Sequence, residues 1–110
     1  MRELKFVGMS LDDLKEFPEL VRKHAGYQLH LLQTGQDPTD WKPLPTVGKG
    51  VREIRIRLEG AFRILYITNI GDAIYVLHAF QKKTQQTSKR DIELAKQRLK
   101  SILSQESKDG

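Results

Sequence analysis

Three strand-like segments joined by very short turns constrain this chain more than any other feature. "VREIRIRL", "FRILYIT" and "AIYVLHAF" are separated by Glu59-Gly60-Ala61 and by Asn69-Ile70-Gly71-Asp72. A parallel pair needs a long crossover, usually a helix, so strands joined this tightly must form an antiparallel meander. In the first segment Ile54, Ile56 and Leu58 alternate with Glu53, Arg55 and Arg57, which predicts one buried and one wet face. The other two are almost entirely apolar, as expected where helices cover one face of a sheet. Arg63 is the exception. A charge placed there must reach the sheet edge or find an anionic partner, and Glu53 or Glu59 could supply a salt bridge.

The remaining elements give the order β-α-α-β-β-β-α. Leu4-Lys5-Phe6-Val7 alternates as a short strand ending at Gly8. Ser10-Leu11-Asp12-Asp13 reads as a capping box opening a short helix, which Pro18 interrupts or follows with a new one. In the second helix one stripe runs through Leu20, His24, Tyr27 and Leu31, and a neighbouring one through Val21, Ala25, Gln28 and Leu32, ending near Gly35. Residues 36–50 hold three of the four prolines and two glycines, so a loop without continuous helix or strand is expected there. Trp41 in that loop is read as a staple to the core, with base stacking as the alternative. Ser88-Lys89-Arg90-Asp91 is a second capping box, and Ile92, Ala95, Leu99 and Ile102 or Leu103 form the apolar stripe of a last helix. The whole, residues 1–110, is expected to be one α+β domain: a small antiparallel sheet with an N-terminal helical hairpin and a C-terminal helix.

Exclusions narrow the function. The absence of cysteine rules out disulfides, thiolate catalysis and cysteine-ligated zinc. No His/Asp/Glu group has metal-ligand spacing, so no metal or cofactor is expected. No apolar run approaches the roughly 20 residues of a membrane span, and no signal peptide is evident, which makes a cytoplasmic location the expectation.

The net charge of +5 is unevenly placed. Between Trp41 and Arg57 stand five cations, Lys42, Lys49, Arg52, Arg55 and Arg57, against Glu53 alone. From Lys82 to Lys100 there are seven against Asp91 and Glu93. Either run alone is ordinarily a solvated face, but if the two meet in space a phosphate-bearing partner is indicated. Should Arg63 share a face with Arg55 and Arg57, three guanidinium groups converge, and their planar forks suit phosphate oxygens. Lys82, Lys83 and Thr84 lie between a strand end and a helix N-terminus, where backbone N–H groups favour an anion. His78 reads as a satisfied core histidine, and His24 and His30 as surface or packing residues.

With these elements in place, "KPLPTVGKGVREIRIR", "GAFRILYI" and "IYVLHAFQKKTQQTSKRDIELAKQRL" resemble the HigB-like, phage-derived branch of the RelE/ParE toxin superfamily, over Gly8 to about Leu103. The resemblance implies a RelE-like fold and a toxin of a type II toxin–antitoxin module, many of which cleave messenger RNA on the ribosome. It implies Arg63, Lys82 and Lys83 as catalytic residues: Arg63 to stabilise charge on the phosphate, the lysines to position phosphate or move protons. Lys49, Arg52, Arg55, Arg57, His78 and Thr84 would contact RNA. The implied partners are a helix-turn-helix antitoxin, the ribosome and mRNA, with no membrane. The tail after Leu103, Ser-Gln-Glu-Ser-Lys-Asp-Gly, lacks a clear acid/base of the kind some relatives carry there. His78, Tyr66 or a lysine of depressed pKa could substitute. A ParE-like gyrase inhibitor and a noncatalytic RNA-binding protein are the alternatives.

Overall fold

A five-stranded sheet in the order β1-β5-β4-β3-β2 carries the chain in the computed structural model, which describes residues 1–109 and side chains as far as Gln105. The elements are β1 (Leu4–Phe6), α1 (Ser10–Lys15), α2 (Glu19–Gln33), β2 (Trp41–Pro43), β3 (Arg52–Arg57), β4 (Ala61–Ile67), β5 (Ile74–Gln81) and α3 (Lys89–Asp109). β3, β4 and β5 form the expected antiparallel meander. The α+β class therefore holds, with two additions. β1 pairs with β5 in parallel, the intervening helices and strands supplying the crossover, and the proline-rich loop contains β2, antiparallel to β3. Pro43 is tolerated in β2 because that strand lies at the sheet edge.

Helices cover both faces of the two central strands, which is why β4 and β5 are apolar throughout. On one face Leu14, Phe17, Val21, Ala25, Leu29 and Leu32 from the N-terminal half pack on Ile54, Ile56, Ile64, Tyr66, Ile74 and Val76. On the other, Ala95, Leu99 and Ile102 of α3 pack on Val51, Leu65, Ile67, Leu77 and Phe80. The stripe through Val21, Ala25, Gln28 and Leu32 is the buried one in α2. Of the other proposed stripe, Leu20 and Tyr27 stand in solvent and Leu31 is buried. Pro18 directly precedes α2 as its N-cap. In α3 it is Ile102, not Leu103, that joins the core.

One cap is as expected and the other is not. The Asp91 N–H donates to Ser88 Oγ over 3.1 Å, and Ser88 Oγ donates to the Asp91 carboxylate over 2.6 Å. Ser10, by contrast, lies one residue inside α1 and is buried, its hydroxyl donating to the Val76 carbonyl over 3.0 Å. That carbonyl also accepts the Val7 N–H over 2.9 Å just past the end of β1, and the buried acceptor takes the hydroxyl in preference to the helix end.

β5 is not a regular strand. Leu65 pairs with His78 but Tyr66 pairs with Val76, so Leu77 is an extra residue, a β-bulge. Ile74 and Val76 face α2, whereas Leu77 and Phe80 face α3. Arg98 of α3 satisfies the bulge: its Nη1 donates to the Leu77 carbonyl over 2.9 Å and lies 3.4 Å from His78 Nδ1, while Nη2 is 3.8 Å from Asp13. The His78 Nε2 is 2.7 Å from Asp91. Gly8, at φ 57°, lets the chain pass Arg98, since a Cβ there would stand 2.9 Å from the Arg98 Nε.

Arg98→Ala strips a buried carbonyl of its donor and removes the cation beside Asp13 and His78, so we expect a loss of about 2–3 kcal/mol. Gly8→Ala combines a left-handed backbone with that close contact and should cost about 1–2 kcal/mol. Urea unfolding measures both, and wild-type midpoints would show that the bulge needs neither residue.

Candidate nucleic-acid interface

The register settles which charges share a face. Arg55 lies directly opposite Arg63, and Arg57 opposite Ala61. Glu53, Arg55 and Arg57 thus project on the α3 side of the sheet, where the α3 core cluster includes no residue of β3. Like charges directly opposite repel, and two carboxylates offset this. Asp40 holds Arg55 at 2.7 Å, and Glu53 lies 3.7 Å from Arg63 and 3.5 Å from Lys42. The salt bridge to Glu53 is therefore real, and so is the shared arginine face. Glu53 itself is 1% exposed, so the face expected to be wet is partly buried.

Arg63 is 5% exposed. Its Nη1 donates to the Phe62 carbonyl over 3.0 Å, while Nε has no hydrogen-bond partner among the described residues. Burial pushes its pKa down, and Arg57 and Arg55 push the same way, against the pull of Glu53. Glu53 and, more weakly, Asp40 do not offset burial together with the two neighbouring cations. The geometry favours an additional anion.

Arg63 lines a recess of about 730 Å³ together with Arg57, Ala61, Lys82, Lys83 and Thr84. Here the two basic runs of the sequence meet. The Lys82 N–H donates to the Ala61 carbonyl over 2.7 Å, which ties the segment after β5 to the start of β4. The Lys82 amine is lowered from its ordinary pKa, first by burial and then by the charge of Arg63. Thr84 Oγ donates to the Gln86 carbonyl over 2.6 Å, so its hydroxyl shapes the turn.

Other candidates stand elsewhere. Arg52 projects from the opposite face, paired with Asp37 at 3.5 Å and lying 4.3 Å from the centre of the Trp41 ring. Trp41 thus holds β2 and the loop, as a staple would. Lys49 precedes β3, at the far end of that strand from Arg57. His78 is 5% exposed and bonded to Asp91, which suits the satisfied core residue. Tyr66 faces α2 with no exposure and cannot reach the recess as an acid or base. The N-terminus of α3 is not an open anion site, because Ser88 and Asp91 of its own first turn occupy it. The C-terminal tail from Glu106 lies outside the residues with described side chains. A cavity of about 820 Å³ near Arg2 and Lys5 lies apart from these residues, and Arg2 is spent there on the carbonyls of Thr68, Asp72 and Ala73.

The family model described as "Phage derived protein Gp49-like" (DUF891) matches residues 12–100. The chain belongs to that family. This agrees with the HigB-like, phage-derived branch of the RelE/ParE superfamily read from the sequence. The fold is that of RelE. The E. coli toxin RelE, solved as a two-arginine mutant in the free state, is similar at a TM-score of 0.61 and 15% identity, over 92% of this chain and 97% of that one. The intact E. coli RelBE toxin–antitoxin complex matches at 0.61 and 15%, over 76% and 100%. The isolated E. coli RelE toxin in another crystal form matches at 0.56 and 17%, over 88% and 98%. No curated protein matches the sequence significantly. Among the described residues, no helix of this Gp49-like chain is long and apolar enough to cross a membrane.

Burial pushes the Tyr66 hydroxyl up to about 12, against a weaker downward pull from Arg52. A folded-state pKa above the unfolded value of 10 means that stability is intact below pH 10 and is lost as pH rises towards 12. The loss should be on the order of 2 kcal/mol. Because the hydroxyl has no hydrogen-bond partner among the described residues, Tyr66→Phe should be neutral or slightly stabilising at pH 7 and should flatten the alkaline decline in thermal unfolding. An unchanged decline would assign it to other groups.

Proposed function

We propose that this chain is the toxin of a type II toxin–antitoxin module and cleaves messenger RNA on the ribosome by attack of a 2′-hydroxyl on the adjacent phosphate. The observation that carries this reading is the recess around Arg63: a buried guanidinium short of counter-charge, flanked by Arg57, Lys82 and Lys83. The family and the RelE fold support the toxin reading.

The reaction needs three services, and the recess supplies each. Lys82, whose lowered pKa raises its neutral fraction, accepts the 2′-hydroxyl proton. Arg63 stabilises the charge that builds on the phosphoryl oxygens as the 2′-oxygen bonds to phosphorus, and Arg57, on the lining of the same recess, holds the RNA backbone. Lys83, exposed and cationic, gives a proton to the 5′-oxygen as its bond to phosphorus breaks. The products are a 2′,3′-cyclic phosphate and a 5′-hydroxyl end. Arg55 is held by Asp40 and contributes mainly to the positive field.

Induction in a bacterial host followed by primer extension on translated messages should reveal discrete new 5′ ends. Lys82→Ala combined with Lys83→Ala should cut cleavage by about 100-fold or more, whereas Arg57→Ala should chiefly weaken RNA binding and reduce its salt dependence by about one ion. The rate should rise with pH as Lys82 loses its proton, and the rise should come at lower pH than for an unperturbed lysine. Arg63→Ala should abolish cleavage and, because it leaves the buried Glu53 with Lys42 as its one cation among the described residues, also cost about 1–2 kcal/mol. Intact RNA accompanied by DNA damage would replace this reading with gyrase poisoning.

A cationic recess of this kind is open to an acidic partner, and complementary charge speeds such an encounter. A small neighbouring gene is expected to encode a helix-turn-helix antitoxin that copurifies with this chain and restores growth. Failure of both neighbouring products to bind or to relieve toxicity would leave a solitary RNA-binding role.

A further inference from the structure

A second cavity of about 730 Å³ shares Lys82, Lys83 and Thr84 with the recess and opens at the edge of β5 beneath the end of α1. Its lining is of a different kind. The edges of the buried Phe17, Phe62 and Phe80 form its floor, and the carboxylates of Asp13 and Glu16 stand at its wall. We propose that this cavity is a nucleobase pocket selective for guanine, with Glu16 reading the base. This inference rests on the recess holding an RNA phosphate.

Three observations lead there. The cavity is of a size that ordinarily holds a small ligand, with an apolar floor and a lining in which polar and charged side chains predominate. Its shared wall with the recess puts the base of a nucleotide within reach when the phosphate of that nucleotide lies beside Arg63 and Lys82. Its carboxylates also differ in how far they are already engaged. Asp91 is bonded to His78 and Ser88, and Asp13 is held beside Arg98 and His78 at 3.8 and 3.9 Å. Glu16 is exposed and, among the described residues, makes neither an ion pair nor a side-chain hydrogen bond.

An ionised carboxylate only accepts hydrogen bonds. On the Watson–Crick edge, guanine alone presents two adjacent donors, N1–H and the N2 amino group, which match the two carboxylate oxygens. Adenine and cytosine present one amino donor beside an acceptor nitrogen. Uracil presents one N–H between two carbonyls, both repelled by a carboxylate. Arg90, on the α3 rim of the same cavity, supplies a donor for guanine O6. Single-stranded RNA is the form in which such an edge is free to be read.

The test uses the full chain and short single-stranded RNAs methylated at every 2′-hydroxyl, identical except for one central base. Wild type should bind the guanine version about tenfold more tightly than the others. Glu16→Gln replaces two acceptors with one donor and one acceptor, a pair that every base can meet on some part of its Watson–Crick edge, so the guanine preference should fall to about twofold or less. Glu16 is exposed at the end of α1, and circular dichroism checks that the variant folds. Equal binding of all four RNAs by wild type overturns the pocket and leaves the recess intact. An unchanged guanine preference in Glu16→Gln overturns the role given to Glu16. No binding of any RNA at low salt overturns the pocket, and the primer-extension experiment then decides separately whether cleavage on the ribosome stands.

Discussion

The β-bulge at Leu77 fixes the geometry on which the rest of the molecule depends. Without it, simple alternation from Ile74 and Val76 would carry His78, Phe80 and Lys82 on the α2 face. The added residue reverses the parity. Phe80 enters the α3 core, His78 meets Asp91, and Lys82 emerges on the face of Arg63. A bulge disrupts the ladder and leaves backbone groups to be satisfied. Arg98 does this for the Leu77 carbonyl, and Asp13 and His78 beside it tie α1, β5 and α3 together. Gly8 then follows as a necessity of space, because the chain entering α1 passes against the Arg98 guanidinium. A defect in one strand thus sets a helix contact, a turn conformation and the direction of a lysine.

The distribution of counter-charge divides the cations into those committed to the fold and those left over. Arg52 and Arg55 are matched to Asp37 and Asp40 of the loop before β2, a local arrangement that also anchors that loop. Lys42 and Arg63 share Glu53. Removing a carboxylate such as Glu53 from water is costly, and two cations at 3.5 and 3.7 Å offset the cost without forming a close bidentate pair. Arg57, Lys82 and Lys83 have no acid of their own among the described residues. Their charge is concentrated where α3 no longer covers the sheet, so the positive field is strongest beside the one arginine that burial has already made uncomfortable. Compensation by a ligand phosphate is the physical complement of that imbalance.

Much of this was legible in the sequence. Short turns dictated the meander, the apolar spacing of α3 identified Ala95, Leu99 and Ile102, and the alternation in β3 placed Arg55 and Arg57 on one face. The Arg63 reading also reached the right alternatives, and both proved true together because the salt bridge and the shared face do not exclude one another. What escaped was non-local. "AIYVLHAF" reads as an uninterrupted strand, since a bulge is defined by the partner strand and has no residue signature here. Arg98 lies among lysines on an amphipathic helix, and only the bulge carbonyl distinguishes it. Ser10 fits a capping box in every local respect, yet the buried Val76 carbonyl of β5 claims its hydroxyl. β2 was hidden by Pro43, whose missing N–H matters little at a sheet edge.

The segment after β5 joins rigid and adaptable parts in one short run. Arg63 is fixed by burial in the middle strand. Lys82 is held through its backbone by the Ala61 carbonyl but keeps a partly exposed side chain, and Lys83 is free in solvent. For the proposed reaction this gradient has a physical purpose. Charge stabilisation works best from a group that need not reorganise when charge develops, which suits Arg63 at the floor. A base must approach a particular hydroxyl and then retain a proton, which suits a side chain with a fixed root and a movable end. An acid for the leaving oxygen must follow a group that departs, and the exposed lysine has that freedom. The same backbone run is also the wall between the recess and the cavity that contains Glu16. A shift of that wall would therefore alter phosphate position and base recognition together, so the 61–82 hydrogen bond, remote from any reacting atom, sets the relation between the two.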